Sequence, residues 1–67
     1  MENKELICEK LLPVLQATDN LSDLVSLHFN KETEVVKATF ANGATKFANV
    51  AMDSGTSMIR DIIKQII

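Results

Sequence analysis

Residues 33–50 have the sequence TEVVKATFANGATKFANV, in which two alternating runs flank Asn42 and Gly43. An Asn-Gly pair in this setting is a strong β-hairpin signal, because a type I′ turn needs positive φ at both central residues. A two-residue loop would place Ala38 opposite Phe47 on the facing strand. The segment therefore predicts two antiparallel strands around which the rest of the chain is arranged.

Side chains alternate across a strand, so this register assigns each hairpin residue to one of two faces. The predicted core face is the more apolar one and carries Val36, Ala38, Phe40 and Phe47. The other face is small and partly charged and carries Val35, Lys37, Thr39, Lys46, Ala48 and Val50.

A helix is predicted over residues 2–16, because Ile7, Leu11, Val14 and Leu15 recur at helical spacing. Pro13 lies inside this pattern and would remove a hydrogen bond, so the helix either kinks there or stops near Leu12. We favour a kinked helix that ends near Ala17, since the apolar spacing continues past Pro13.

A first strand is predicted over residues 24–29, where alternation points Val25, Leu27 and Phe29 inward. A last helix follows the capping candidates of residues 53–57 and continues with an apolar side to Ile67. The predicted fold is α+β in the order α-β-β-β-α. Its sheet is a three-stranded antiparallel meander with both helices packed on one face.

The 67 residues make one small domain, residues 1–67, with 46% hydrophobic and 24% charged residues. Burial and chain entropy nearly cancel at this size, so a staple, a metal or a partner chain is usual. One cysteine excludes an internal disulfide, and one Cys with one His cannot complete a zinc site. We therefore expect a homo-oligomer and no cofactor.

The net charge of −2 argues against nucleic acid, whose binding proteins present basic patches. Charged residues interrupt the N-terminal segment, and no apolar run approaches the roughly 20 residues that span a bilayer. These features predict a cytoplasmic protein without a membrane segment.

The sheet face away from the helices is a candidate interaction face, since small domains are short of core. Its predicted members are Ser26, His28, Lys37, Thr39, Lys46 and Ala48. A solvated face with no partner is the competing interpretation.

Ser54, Gly55 and Thr56 form a candidate anion site, because hydroxyls and a helix N-terminus can hold a phosphate. Capping of the helix by these side chains is the favoured interpretation, since Asp53 would repel an anion.

Catalysis is not expected. His28 is the single histidine, and Cys8 stands among apolar neighbours, the usual setting of an inert buried thiol. No nucleophile and base occur at a spacing that predicts a pair.

In the order of its elements the chain resembles the double-stranded RNA-binding domain. That family opens its second helix with a basic cluster that grips phosphates, whereas residues 53–61 here read DSGTSMIRD, with only Arg60 basic. The loop between its first two strands carries Pro and His, and here it reads NKET. The resemblance therefore carries over no RNA-contacting residue.

The C-terminal half, with the segments FANG (residues 40–43), NV (residues 49–50), DSG (residues 53–55) and MIRDI (residues 58–62), also resembles short uncharacterised proteins of Gram-positive bacteria and their mobile elements. That resemblance implies a phage-type accessory protein, a class whose small members usually act by binding another protein.

The sequence thus predicts a non-enzymatic protein–protein interaction module that binds itself as a homodimer, another protein, or both. The open sheet face, an edge strand or the first helix could form the interface. The alternative is a degenerate nucleic-acid binder of the double-stranded RNA-binding type that uses Lys37, Lys46, Arg60 and Lys64.

Overall fold

The structure, a computed structural model, describes residues 3–67. It contains the predicted α+β arrangement, with elements in the order α-β-β-β-α. The elements are α1 (Lys4–Gln16), β1 (Leu24–Asn30), β2 (Val35–Phe40), β3 (Thr45–Asn49) and α2 (Gly55–Ile66). The strands form an antiparallel sheet in the order β1-β2-β3, so β1 and β3 are its edges.

Helix α1 continues through Pro13 and ends at Gln16, which rules out a stop near Leu12. The Asn3 side chain caps its start by accepting from the Leu6 N–H at 3.0 Å. The predicted start at Glu2 lies outside the described residues.

Both helices cover the same face of the sheet, and the core lies between them and the strands. Helix α1 packs on β1 and helix α2 packs on β3. The core residues are Cys8, Leu11, Leu15, Leu21, Leu24, Val36, Ala38, Phe40, Ala48, Val50, Met58, Ile62 and Ile66.

The predicted hairpin register is wrong by one residue. Ala38 lies opposite Lys46 and Val36 lies opposite Ala48, so Ala38 does not pair with Phe47. The loop has three residues, because the Gly43 N–H donates to the Phe40 carbonyl at 2.9 Å and Gly43 alone in the loop has positive φ, +87°. A type I turn followed by a glycine in the left-handed conformation is the usual arrangement of a three-residue hairpin loop.

The shifted register exchanges the faces of β3. Ala48 and Val50 become fully buried on the helix side, whereas both were predicted to face outward. Phe47, predicted to be core, lies on the outer face. A small alanine at this point lets α2 lie close over β3.

Lys46 also lies on the helix side, in contrast to the prediction. Its Nζ lies 5.7 Å from the centroid of the Phe40 ring and donates to the Ile66 carbonyl at 3.2 Å. The amine thereby meets the negative end of α2, which makes this position tolerable for a lysine.

Val25 was predicted to point inward, and it is exposed. The pairing of β1 with β2 shifts between Leu24 and Ser26, so Val25 is the extra residue of a β-bulge. Leu24 is buried in its place, while Leu27 and Phe29 pack against the core as predicted.

Lys4 of α1 contacts the turn between β1 and β2 and the segment that follows β3, at one end of the sheet. Its Nζ donates to the Val50 carbonyl at 2.7 Å and pairs with Glu34 Oε1 at 3.3 Å. Glu34 lies in the turn between β1 and β2 at φ +54°, a left-handed conformation that few non-glycine residues adopt. The joint holds the start of α1 against both the turn and the end of β3.

No helix within residues 3–67 combines the length and apolar character that a bilayer crossing requires.

Candidate functional site

Four of the six residues predicted for the interaction face lie together on the outer face of the sheet. Ser26 pairs with Thr39, and His28 pairs with Lys37 on the neighbouring strand. Lys46 and Ala48 do not belong to this group, because the hairpin register places both on the helix side.

We call this surface the open face and define it by the outward residues Ser26, His28, Lys37, Thr39, Thr45, Phe47 and Asn49. Phe47 is its largest apolar side chain and is 57% exposed. The prediction missed it, although Gly43 carried a usable signal: a loop with glycine in its third position is typical of the three-residue hairpin.

A second surface lies where α1 meets α2. Leu6 and Val14 are two turns apart on α1 and are 47% and 60% exposed, respectively. With Ile7 and Leu11 of α1 and Ile59 of α2 they line a groove of about 380 Å³ that is almost entirely apolar. We call this group the apolar seam.

Among residues 3–67, Lys10 is the one charged residue that lines the groove. Its Nζ approaches Glu9 Oε2 at 3.7 Å, and both side chains are largely exposed. The long lysine stem adds apolar area to the groove while its amine remains in water. The seam therefore offers mainly hydrophobic contact to whatever docks there.

Helical geometry explains why the seam exists. Residues four apart share a side of a helix, so Leu6, Lys10 and Val14 form one row. The core uses the neighbouring row Cys8, Leu11 and Leu15, of which Leu11 also lines the groove. Helix α1 thus carries more apolar surface than its own sheet covers, and Val14, part of the predicted apolar stripe, is exposed.

Cys8 and His28 line the same shallow cavity of about 350 Å³, between α1 and β1. Glu5 and Glu9 also line it. Burial raises the pKa of the Cys8 thiol to about 11, so it stays protonated at neutral pH and is a poor nucleophile. Within residues 3–67 no group of three His, Cys, Asp or Glu side chains could hold a metal ion.

Ser54, Gly55 and Thr56 lie at the N-terminus of α2, as predicted. Ser54 is the N-cap, and its Oγ accepts from the Ser57 N–H at 3.4 Å. The same Oγ donates to Ser57 Oγ at 3.1 Å. Ser54 therefore serves the capping role, and the Ser57 N–H is occupied from within the chain.

Asp53 precedes this cap and lies against a second carboxyl. Its hydrogen bond with the Asp61 side chain raises the pKa of Asp53, and burial and the Asp61 charge act in the same direction, against Lys4 and Arg60. The Asp53 Oδ2 atom is buried and has no hydrogen-bond partner within residues 3–67. A proton held between the two carboxyls would relieve this crowding.

A larger open cavity, about 430 Å³, lies at the hairpin end of the sheet. Its lining includes Phe40, Lys46 and Ile66, and the Lys46 amine is already bound to the Ile66 carbonyl. The exposed carboxylate of Asp23 also lines the cavity.

No protein-family model matches the chain, and comparisons with curated proteins and with solved structures likewise found no significant match.

Proposed function

We propose that the chain is a non-enzymatic protein–protein interaction module that docks a partner along the apolar seam. The exposure of Leu6 and Val14 beside the partly buried Ile59 carries this proposal. Contiguous apolar side chains on a small soluble domain are expensive to leave in water, and such patches mark interaction sites.

The size of the domain supports the same function. A chain of 67 residues has little core, so burial of the seam against another chain would add stability that its own fold lacks. Lys10 also fits docking, because its stem can pack against a partner between Leu6 and Val14 while its exposed amine stays in water.

Catalysis has little support in the site geometry. The Cys8 thiol is buried with a raised pKa, and Ser54 is engaged as a helix cap. Nucleic-acid binding is also poorly supported, because Lys37 lies on the open face while Lys46 lies on the helix side. These lysines do not form one basic surface of the kind that follows a phosphate backbone.

The test compares two double variants in a pull-down from host lysate with purified protein as bait. Leu6→Glu with Val14→Lys charges both ends of the seam. The pair keeps the net charge and suits the helix dipole, with the acid near the N-terminus and the base near the C-terminus. The folding free energy should therefore change little.

The matched control is Thr56→Glu with Gln65→Lys, which introduces the same two charges on exposed positions of α2. We expect proteins recovered with the wild type and the control to be lost with the seam variant, by about tenfold or more. Equal recovery by all three baits would contradict docking at the seam.

A further inference from the structure

The free edge of β3 is a second exposed surface, separate from the seam. Two hydrogen bonds determine which residues of β3 direct their backbone groups toward β2. The Phe40 N–H donates to the Ala44 carbonyl at 2.9 Å, and the Val50 N–H donates to the Glu34 carbonyl at 3.0 Å. In an antiparallel pair, alternate residues direct their backbone groups toward the partner strand. Lys46 and Ala48 therefore face β2.

The backbone N–H and C=O groups of Thr45, Phe47 and Asn49 consequently point away from the sheet. Among residues 3–67 no other segment supplies them with a backbone partner. Their side chains lie on the open face, where Phe47 is exposed. This edge presents both unpaired hydrogen-bonding groups and an aromatic ring.

The two sheet edges differ in how they are protected. β1 contains the bulge at Val25, a feature that disrupts edge pairing. β3 pairs regularly from Thr45 to Asn49 and contains neither proline nor a bulge. Its charged residue, Lys46, is directed to the helix side and bound to the Ile66 carbonyl. β3 therefore lacks the usual obstacles to pairing.

We propose that β3 pairs antiparallel with β3 of a second copy of this chain, about a two-fold axis at Phe47. The inference rests on the proposed function, which makes the chain a protein-binding module, and it names one partner. The paired strands join two three-stranded sheets into one continuous sheet.

The register of this pairing follows from the two-fold axis. Phe47 lies opposite Phe47 of the second copy, and Thr45 lies opposite Asn49 of the second copy. Each of these pairs exchanges two backbone hydrogen bonds, because all three residues direct their backbone groups outward.

A second copy fits this edge because the edge is complementary to itself. The Phe47 rings meet at the axis, where cross-strand aromatic pairs are favourable. Asn49 Oδ1 already accepts from the Ala51 N–H at 3.0 Å, which leaves its amide nitrogen to donate to the Thr45 hydroxyl of the second copy. No outward residue of β3 is charged, so two copies meet without like-charge repulsion.

Disulfide trapping tests this register directly in a Cys8→Ala background, which removes the native thiol. Phe47→Cys places two thiols opposite each other across the axis, at a Cα separation of about 5.5 Å that suits a disulfide. Thr45→Cys is the matched control, because its counterpart in the second copy is four residues away along the strand, about 13 Å. We expect oxidation to give covalent dimer for Phe47→Cys and little for Thr45→Cys. Mixing Thr45→Cys with Asn49→Cys should restore the cross-link.

A second measurement uses the uncrosslinked chain, with the dimer dissociation constant taken from sedimentation equilibrium. Phe47→Pro removes an N–H that faces outward, so it breaks the contact between copies and leaves the ladder to β2 intact. We expect it to raise the dissociation constant about tenfold or more. Phe47→Ala keeps the N–H and should weaken the dimer less.

Three results would overturn the proposal. The wild type could stay monomeric up to about 1 mM, or Phe47→Cys and Thr45→Cys could cross-link equally. In the third, the dimer is abolished by the Leu6→Glu with Val14→Lys variant and is unaffected by Phe47→Pro. A monomer that still captures another protein through the seam would refute the edge pairing and leave the proposed function standing. A dimer of the predicted register without seam-dependent capture would do the reverse.

Discussion

Phe40 and Phe47 belong to the same hairpin and lie on opposite faces of one sheet. Phe40 is 8% exposed beneath the helices, whereas Phe47 is 57% exposed on the open face. The residue type and the local backbone are the same, so the difference comes from what each face contacts. The helix side of the sheet carries the core of the fold, whereas the open face is exposed.

Replacing these two residues by alanine should separate the two roles most clearly. Phe40→Ala removes a buried ring and should lower the free energy of unfolding by about 3–5 kcal/mol. Phe47→Ala should lower it by less than about 1 kcal/mol, because the ring is mostly in water already. Urea denaturation at a concentration where the wild type is monomeric measures both values, and similar losses would contradict the assigned faces.

Lys4 extends the comparison to polar contacts. Lys4→Met removes the donor to the Val50 carbonyl and the partner of Glu34, so we expect a loss of about 1–3 kcal/mol in unfolding free energy. Lys10→Met is the control, since the Lys10–Glu9 pair is largely exposed and should contribute about 0–1 kcal/mol. Equal effects of the two changes in urea denaturation would show that the Lys4 joint adds nothing.

The cap of α2 should have a smaller effect, because it acts on the helix that covers β3 and not on the core itself. Ser54→Ala leaves the Ser57 N–H without its acceptor and should lower the free energy of unfolding by about 0.5–1 kcal/mol. Ser22→Ala serves as control, since that hydroxyl only donates to the Asp19 carbonyl in an exposed loop. Thermal unfolding followed by circular dichroism distinguishes the two variants.

The smallest expected effect is a pH dependence of the free energy of unfolding, caused by the contact between Asp53 and Asp61. The folded chain raises the pKa of Asp53 above its ordinary value of 3.8. The contribution of Asp53 to the free energy of unfolding is therefore fully present below that value. It is lost as the pH rises through the pKa of Asp53 in the folded chain.

Asp53→Asn cannot ionise at this position and should gain stability relative to the wild type as the pH rises above about 4. Unfolding free energies of both proteins, measured across mildly acidic to neutral pH, provide the test. A constant difference between them would mean that the two carboxyls do not share a proton.

Much of the architecture could be predicted from the sequence, because each element has a strong local signal. The apolar periodicity of α2, the helical spacing on α1 through Pro13 and the glycine of the hairpin loop identified the α-β-β-β-α order that the structure contains. The cap of α2 followed from residue type, because Ser54 was among the predicted capping candidates.

The sequence does not determine the register of β3 in the same way. An Asn-Gly pair permits both a two-residue and a three-residue loop, and the choice depends on packing against α2, where Ala48 fits and Phe47 would not. The bulge at Val25 likewise leaves no local sequence signal. These two details decide which residues form the open face, so the candidate site was only partly predictable.

The most direct test of the account is amide hydrogen exchange along β3, read by NMR at low and at high protein concentration. Lys46 and Ala48 face β2 and should be protected at both concentrations. The amides of Thr45, Phe47 and Asn49 should exchange rapidly in dilute protein and slowly in concentrated protein, as the open edge pairs with a second copy. Rapid exchange at Phe47 that does not change with concentration would contradict the claim that this edge binds.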